Sequence, residues 1–243
     1  MDELAATVDA CSPDLICIVE TWLSPDISNP EISLAGYQLC RLDRDRHGGG
    51  VLIYIKDIFN FFLLPTPTCG LELLTLTLQH NILPTRLCVS VFYRPPNSEA
   101  SLLDELSTYL ESIDCAQFKN FIVIGDFNID VISGSHPLYS KLYSIMSILS
   151  LTQMVHEPTH VHHNGTASTI DLVFVSNLHL VDYCSTIPAL SNSDHLGLTI
   201  NLSFNSTSTA TKGRVVWRYS HADFGRLGHV KPLTGHLCWI QRI

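Results

Sequence analysis

Four segments of this chain place an acid, an amide or a histidine where an apolar run ends or is broken. Ile18-Val19-Glu20-Thr21 finishes on a carboxylate, and Ile122-Val123-Ile124-Gly125-Asp126-Phe127-Asn128 presents an acid and an amide at alternate positions. Alternate side chains of an extended chain point the same way, so Asp126 and Asn128 should share a face. Thr169-Ile170-Asp171-Leu172-Val173-Phe174 holds an acid inside an apolar run, and Ser193-Asp194-His195 precedes another. Taken singly, an acid at a strand end is more often a turn residue or a cap than a catalyst. Asp171 is harder to explain that way, because a carboxylate within a buried strand is costly unless paired. A nearby histidine would supply the partner. Together the residues suit phosphodiester hydrolysis, which needs a metal, a group to orient water and something to steady the leaving oxygen. Glu20 is suited to hold Mg2+, and Asp126 and Asn128 to align the water and a phosphate oxygen. His195, fixed by Asp171, is suited to contact the scissile phosphate.

These residues need strands to position them. Leu15–Val19, Tyr37–Leu42, Val51–Ile55, Leu71–Leu78, Leu87–Tyr93, Phe121–Ile124, Ile170–Val175 and Leu196–Leu202 are aliphatic or aromatic runs, mostly bounded by Pro, Gly, Asn or Asp. Helical spacing is confined to Leu102, Leu106, Leu110 and Ile113, and to Leu138, Leu142, Ile145 and Leu149 after Pro137. Residues 2–11 read as the end of a further helix. Many strands with interposed helices predict an α/β (α+β) sandwich with helices outside the sheets. The polar stretch 205–213 places the domain boundary near Phe204, giving a domain over 1–204 and a polar linker with a basic tail over 205–243.

The chain has 243 residues, 46% of them hydrophobic and 15% charged, enough for one substantial core. No apolar run approaches the roughly 18 residues of a membrane span. Asp2, Glu3 and Asp9 do not suit a secretory leader, so an intracellular, nuclear or cytoplasmic setting is expected. The eight cysteines form no CxxC pair and read as buried thiols. The net charge of −9 argues against tight non-specific DNA binding. It does not argue against metal-dependent chemistry, which concentrates carboxylates at its site. His160, His162 and His163 read as a solvated loop rather than a metal cluster, Gly48-Gly49-Gly50 as a hairpin connection and Trp22 as packing.

The ordered motifs Glu20-Thr21, Gly125-Asp126-Phe127-Asn128, Asp171 and Ser193-Asp194-His195 resemble those of the endonuclease/exonuclease/phosphatase superfamily. That resemblance implies a four-layer sandwich of two packed β-sheets flanked by helices. It also implies Glu20 and Asp194 as metal residues, with Mg2+ (or Mn2+) as cofactor. Tyr93 would lie beside the scissile phosphate, Asp126 and Asn128 act on water and phosphate, and Asp171 orient His195. Glu20-Thr21-Trp22-Leu23, residues 41–51, Tyr93-Arg94-Pro95-Pro96-Asn97, Glu157-Pro158-Thr159 and residues 214–223 are similar to endonuclease domains of LINE-type (non-LTR) retrotransposons. DNA is then the implied partner, touched by Arg44, Arg46, Thr159 and Ser193, together with a reverse transcriptase domain in the parent element. Against the family pattern the chain reads as N-terminally truncated, with the first strand missing and a gap in one sheet. The alternatives are a superfamily phosphatase acting on phosphoinositides and a non-catalytic truncated remnant.

Overall fold

The computed structural model describes residues 2–204, apart from 46, 68–69, 81–82, 84, 114–117, 163–164 and 191–192, and residues 234–241. In chain order the elements are α1 (Asp2–Cys11), β1 (Leu15–Val19), β2 (Tyr37–Leu42), β3 (Val51–Lys56), β4 (Asn60–Leu63), β5 (Glu72–Gln79) and β6 (Leu87–Tyr93). They continue as α2 (Ser101–Ser112), β7 (Asn120–Asp126), α3 (Tyr139–Ile148), β8 (Thr152–Gln153), β9 (His160–Val161), β10 (Ala167–Ser168) and β11 (Asp171–Val175). The last are β12 (Val181–Ile187), β13 (Gly197–Ser203) and β14 (Thr234–Gln241).

Two six-stranded sheets, ordered β12-β13-β14-β1-β3-β2 and β4-β5-β6-β7-β11-β8, form the body of the fold. The period-two alternation of their strands divides the apolar residues among three packed layers. Leu15, Cys17 and Val19 of β1 join Ile53, Leu76, Val91, Ile124 and Val173 in the core between the sheets. Ile16 and Ile18 lie on the opposite face with Leu4 and Val8 of α1. Phe92, Phe121, Val123 and Phe174 pack instead with Leu103, Leu106 and Leu110 of α2 and Leu142, Ile145 and Met146 of α3. The result is the four-layer α/β sandwich that the resemblance implied. Central strands buried on both faces need continuous apolar runs, which is why those strands were visible in the sequence.

The first sheet has no gap beside β1. Residues 234–241, expected to lie in a basic tail, form β14 within that sheet. β14 runs parallel to β1, from Leu15↔Leu237 to Val19↔Gln241, and antiparallel to β13, from Leu198↔Trp239 to Ser203↔Thr234. It therefore satisfies the backbone groups of two neighbours that would otherwise be sheet edges. Residues 205–233, including the expected linker and the segment similar to a connector, lie outside the described residues. Of the cysteines, Cys17 and Cys88 are buried thiols as expected, whereas Cys11 is exposed. Among the described residues no helix is long and apolar enough to cross a membrane.

Gly125 fixes the crossing of β6 and β7. A Cβ at this position would stand 1.8 Å from the backbone oxygen of Phe92, its register partner on the parallel neighbour. Gly125→Ala is expected to destabilise the fold by roughly 3 kcal/mol or more, because neither backbone can retreat without breaking the ladder. A urea or thermal unfolding comparison checks this; a midpoint within error of the parent would contradict it.

Candidate active site

Register, more than any single motif, assembles the site. Glu72 on β5 is paired with Tyr93 on β6, Tyr93 with Asp126 on β7, and Asp126 with Asp171 on β11. Four adjacent strands thus bring a carboxylate, a phenol and two further carboxylates into one cross-strand row. The pleat places all of them on the face that meets the other sheet, in step with Leu74, Val91, Ile124 and Val173. Tyr93, Asp126 and Asp171 are each at most 2% exposed, at the rim of that core.

The opposing sheet supplies the other half. β1 ends at Val19, and Glu20 takes a left-handed conformation (φ 50°) that turns its side chain out of the strand's alternation. Its carboxylate accepts a short hydrogen bond from the Tyr93 hydroxyl. Burial first, and then Glu20 with Asp126 and Glu72, push the Tyr93 phenol far above its ordinary value, so it stays a donor. His195 lies just ahead of β13, and its Nδ1 is 2.9 Å from Asp171 Oδ2. Two contacts, Tyr93–Glu20 and Asp171–His195, therefore stitch the sheets across the seam.

Asp126 and Asn128 form one unit. Asp126 Oδ1 accepts from the Asn128 backbone N–H at 2.9 Å, and Oδ2 accepts from Asn128 Nδ2 at 2.9 Å. The same Nδ2 donates to the Arg94 carbonyl at 2.8 Å. Asn128 achieves this with φ 50°, a conformation that Asn tolerates better than most residues. Arg94 is itself 2% exposed, and its backbone N–H donates to the Asp126 carbonyl at 2.8 Å. Burial lowers the Arg94 pKa, opposed by the Asp126 charge.

His195 is pulled in two directions. Burial disfavours its imidazolium, but the hydrogen bond and charge of Asp171, with Asp126 and Asp194, outweigh this and raise its pKa above 6.5. A group raised on folding stabilises the fold fully below its unfolded value and loses that contribution as pH rises through the folded one. Stability from this pair should therefore decline as pH climbs from about 6.5 through the raised folded value. Asp171→Asn should lower the His195 pKa, read by NMR titration of the imidazole in metal-free buffer. An unchanged titration would remove Asp171 from the role of orienting partner.

The structure brings Tyr93, Asp126, Asn128, Asp171, Glu20 and His195 together by the contacts above, and Asp194 sits beside them, with its carboxylate 3.2 Å from His160 Nε2. Burial raises the Asp194 pKa, but His160, backbone hydrogen bonding and His195 together hold it below the ordinary value. Ser193 Oγ accepts from the His195 backbone N–H at 3.1 Å. Arg44 pairs with Glu72 at 2.6 Å and donates to the Gly48 carbonyl at 2.9 Å. Glu72 also receives the Gly50 N–H at 2.6 Å, and the Trp22 N–H donates to the Gly49 carbonyl at 3.0 Å, so the glycine run joins Glu72 to the segment after Glu20. Arg46 lies outside the described residues. Thr159 differs from the expected DNA contact: it is 0% exposed, and its hydroxyl accepts from the backbone N–H groups of Ile170 and Asp171. A hydroxyl spent in this way positions the start of β11.

Glu72, Arg94 and His160 are site residues that the sequence reading missed. Glu72 could have been found, since it continues the inward parity of Leu74, Leu76 and Leu78. The donor set fits a hard divalent cation, which takes oxygen ligands. Glu20, Asp126, Asp171 and Asp194 supply carboxylates, and Asp171 Oδ1 is buried without a hydrogen-bond partner among the described residues. Asp126, Asp171 and His195 offer ligand atoms within 4.8 Å of one another.

A family model described as endonuclease-reverse transcriptase matches residues 87–199. Comparison with solved structures finds the endonuclease domain of TRAS1, a telomere-specific non-LTR retrotransposon, at TM-score 0.67 and 17% identity, covering 83% of this chain and 91% of that one. The 3'-5' exonuclease NExo of Neisseria meningitidis follows at TM-score 0.64 and 16% identity, over 80% of this chain and 91% of the other. The human Nocturnin catalytic domain matches at TM-score 0.60 and 20% identity, over 84% and 85%. Comparison with curated protein sequences gives no match. The chain has the fold of the endonuclease/exonuclease/phosphatase superfamily. Within it, the segment carrying Tyr93, Asp126, Asn128, Asp171 and His195 is the part that matches the endonuclease-reverse transcriptase family.

Proposed function

We propose that this chain is a Mg2+-dependent phosphodiester hydrolase that nicks DNA, leaving a 3′-hydroxyl end. The observation that carries the reading is the row Glu72–Tyr93–Asp126–Asp171, bound across the seam to Glu20 and His195. Asp126, held by two bonds from Asn128, takes a proton from the attacking water as its oxygen bonds to phosphorus. The P–O3′ bond breaks, and the departing oxygen collects a proton to become the 3′-hydroxyl. His195, oriented by Asp171, which also raises its pKa, faces the developing negative charge, and Tyr93 donates toward the same side. Glu20 and Asp194 would hold the metal ion, whose contribution is to neutralise phosphate oxygens and steady the leaving group. Arg44, Arg46 and Ser193 are placed in this reading as contacts to the DNA backbone.

The retrotransposon setting is supported by the family description over residues 87–199 and by the TRAS1 domain. It implies an intracellular protein working with a reverse transcriptase, which would extend the 3′-hydroxyl. The catalytic residues of this reading all fall within residues 1–204, and β14 completes the sheet that carries Glu20 and His195. Phosphatases share the fold, among them a 2′,3′-cyclic phosphatase and a mannosyl-6-phosphatase, so the test must separate the two chemistries. Supercoiled plasmid incubated with the full chain and Mg2+ should pass to the open-circular form, and EDTA should stop it. Release of inorganic phosphate from inositol phosphates without plasmid nicking would replace this reading with the phosphatase one.

A further inference from the structure

His160 was expected in a solvated loop. It is only 9% exposed, and it faces the site. Its Nε2 lies 3.2 Å from Asp194 Oδ2, and its ring centroid is 4.3 Å from that of His195. His160, Asp194 and His195 offer ligand atoms within 4.8 Å of one another. We propose that these residues form a second cation site, selective for a borderline transition ion such as Zn2+, whose occupation switches the nuclease off.

Three features support a built site. First, the donors are the wrong kind for Mg2+ and the right kind for zinc: two imidazoles and one carboxylate, with the solvent side left for water. Second, spacing is close to what is needed. Tetrahedral zinc with ligands at about 2.0–2.1 Å has ligand–ligand edges of roughly 3.3 Å, and the His160–Asp194 pair already stands at 3.2 Å. Third, each imidazole is oriented from behind. His195 Nδ1 is 2.9 Å from the buried Asp171 carboxylate, and His160 Nδ1 is 3.4 Å from Ser168 Oγ. Such outer partners fix ring orientation and leave the other nitrogen for a metal.

The backbone holds the two halves at fixed distance. His160 and His195 form an antiparallel bridge. The Val161 N–H donates to the Asp194 carbonyl at 3.1 Å, and the Leu196 N–H to the Thr159 carbonyl at 2.7 Å. Zinc would displace the hydrogen-bonding proton between His160 and Asp194, and occupy the His195 nitrogen that Asp171 leaves free. Under the proposed function that nitrogen is the one facing phosphate, so the bound ion takes the His195 ring out of the reaction.

Binding is read first without activity. Co2+ added to the metal-free full chain should give the visible absorption of a low-coordinate site, displaced by Zn2+ and not by Mg2+. His160→Ala should weaken Zn2+ binding by at least about 10-fold, the lower range for loss of even an outer partner. His160→Gln repeats the measurement should the alanine variant unfold, and His162→Ala is the control, since His162 stands against His160 at a ring distance of 4.3 Å without joining the cluster. Wild-type affinity in both His160 variants, or a Co2+ spectrum lost equally in His162→Ala, overturns the site. Asp194 is shared with the proposed Mg2+ position, so in the nicking assay Zn2+ should inhibit at fixed Mg2+, His160→Ala should raise the Zn2+ concentration needed by about 10-fold or more, and each variant is scored against its own zinc-free rate. Inhibition at the same Zn2+ concentration in the wild type and in both His160 variants overturns the switch. A chain that never nicks but binds Co2+ through His160 sinks the nuclease reading and leaves the metal site standing.

Discussion

Replacing His195 or Asp126 by alanine is expected to slow plasmid nicking about 10²–10⁴-fold, the range associated with loss of a proton-transfer group or a charge-stabilising donor. The two losses should differ in kind. Under the proposed function Asp126→Ala removes the group that takes the proton from water, and it frees Asn128, whose Nδ2 and N–H both donate to that carboxylate. His195→Ala leaves the water machinery in place but strands the Asp171 carboxylate, which is 0% exposed and pairs through Oδ2 with His195. A cost in stability should therefore accompany the His195 change. His195→Gln keeps a donor in reach of Asp171 and should recover stability without recovering rate. Combining the Asp126 and His195 changes should cost less than the product of the single effects, because both act in one step. Nicking unchanged in either alanine variant, with the melt unchanged, would remove that residue from the chemistry.

Ending the chain at residue 233 is expected to have the largest effect on stability. β14 lies inside a six-stranded sheet, paired on both sides. Deleting it would open two facing edges in the middle of the sheet, leaving the ladder groups of β1 and β13 without partners. At about 0.5–1.5 kcal/mol net per hydrogen bond, the loss reaches the scale of a whole domain's stability, about 5–15 kcal/mol. The shortened chain should melt far below the full one or fail to fold. A separate experiment reads the register directly: Thr199 is paired with Cys238, so Thr199→Cys should form a disulfide with Cys238 under mild oxidation. A shortened chain that melts with the parent, or an introduced thiol that crosslinks to a different cysteine, would place β14 outside the sheet.

The central strands were readable in the sequence because burial on both faces demands apolar residues throughout. Val51–Ile55, Leu87–Tyr93 and Phe121–Ile124 could hardly be anything else, and their bounds moved by a residue or two. Of the edge strands β2 was read at Tyr37–Leu42, but β12 and β4 were not, for the same reason in reverse. β12 is half-exposed along most of its length and β4 has exposed Phe62 and Leu63, so neither carries a two-faced apolar signature. β14 was lost in a basic tail although Leu237-Cys238-Trp239-Ile240 is an apolar run. Its partners are distant in sequence, and a tail has no turn chemistry that announces a return to the sheet.

The site divides along similar lines. Asp126 and Asp171 were legible because each ends or breaks an apolar run where an unpaired polar group is costly, and His195 because it stands just ahead of one and would pair the buried Asp171. Glu72 carried only a parity signal, as the polar member of the inward series with Leu74, Leu76 and Leu78, and its register partners are what set it beside Tyr93. His160 was obscured by His162 and His163, which made one buried ring look like part of a polar loop. Thr159 shows the opposite error, for a residue that resemblance places near DNA is spent on the backbone of β11.

The row of paired residues across β5, β6, β7 and β11 constrains how such a chain can change. Each member faces the seam only because its strand is in phase with its neighbours, and a slip of one residue sends every side chain to the other face. Deleting any residue from Asn120 to Gly125 would turn Asp126 toward α2 and α3 and bring an aromatic or aliphatic side chain to the seam. Insertions in the connecting loops leave the phase intact. Heritable variation in this molecule is therefore quantised within strands and continuous between them, and new substrate preferences are open to it through loop length long before they are open through the strands.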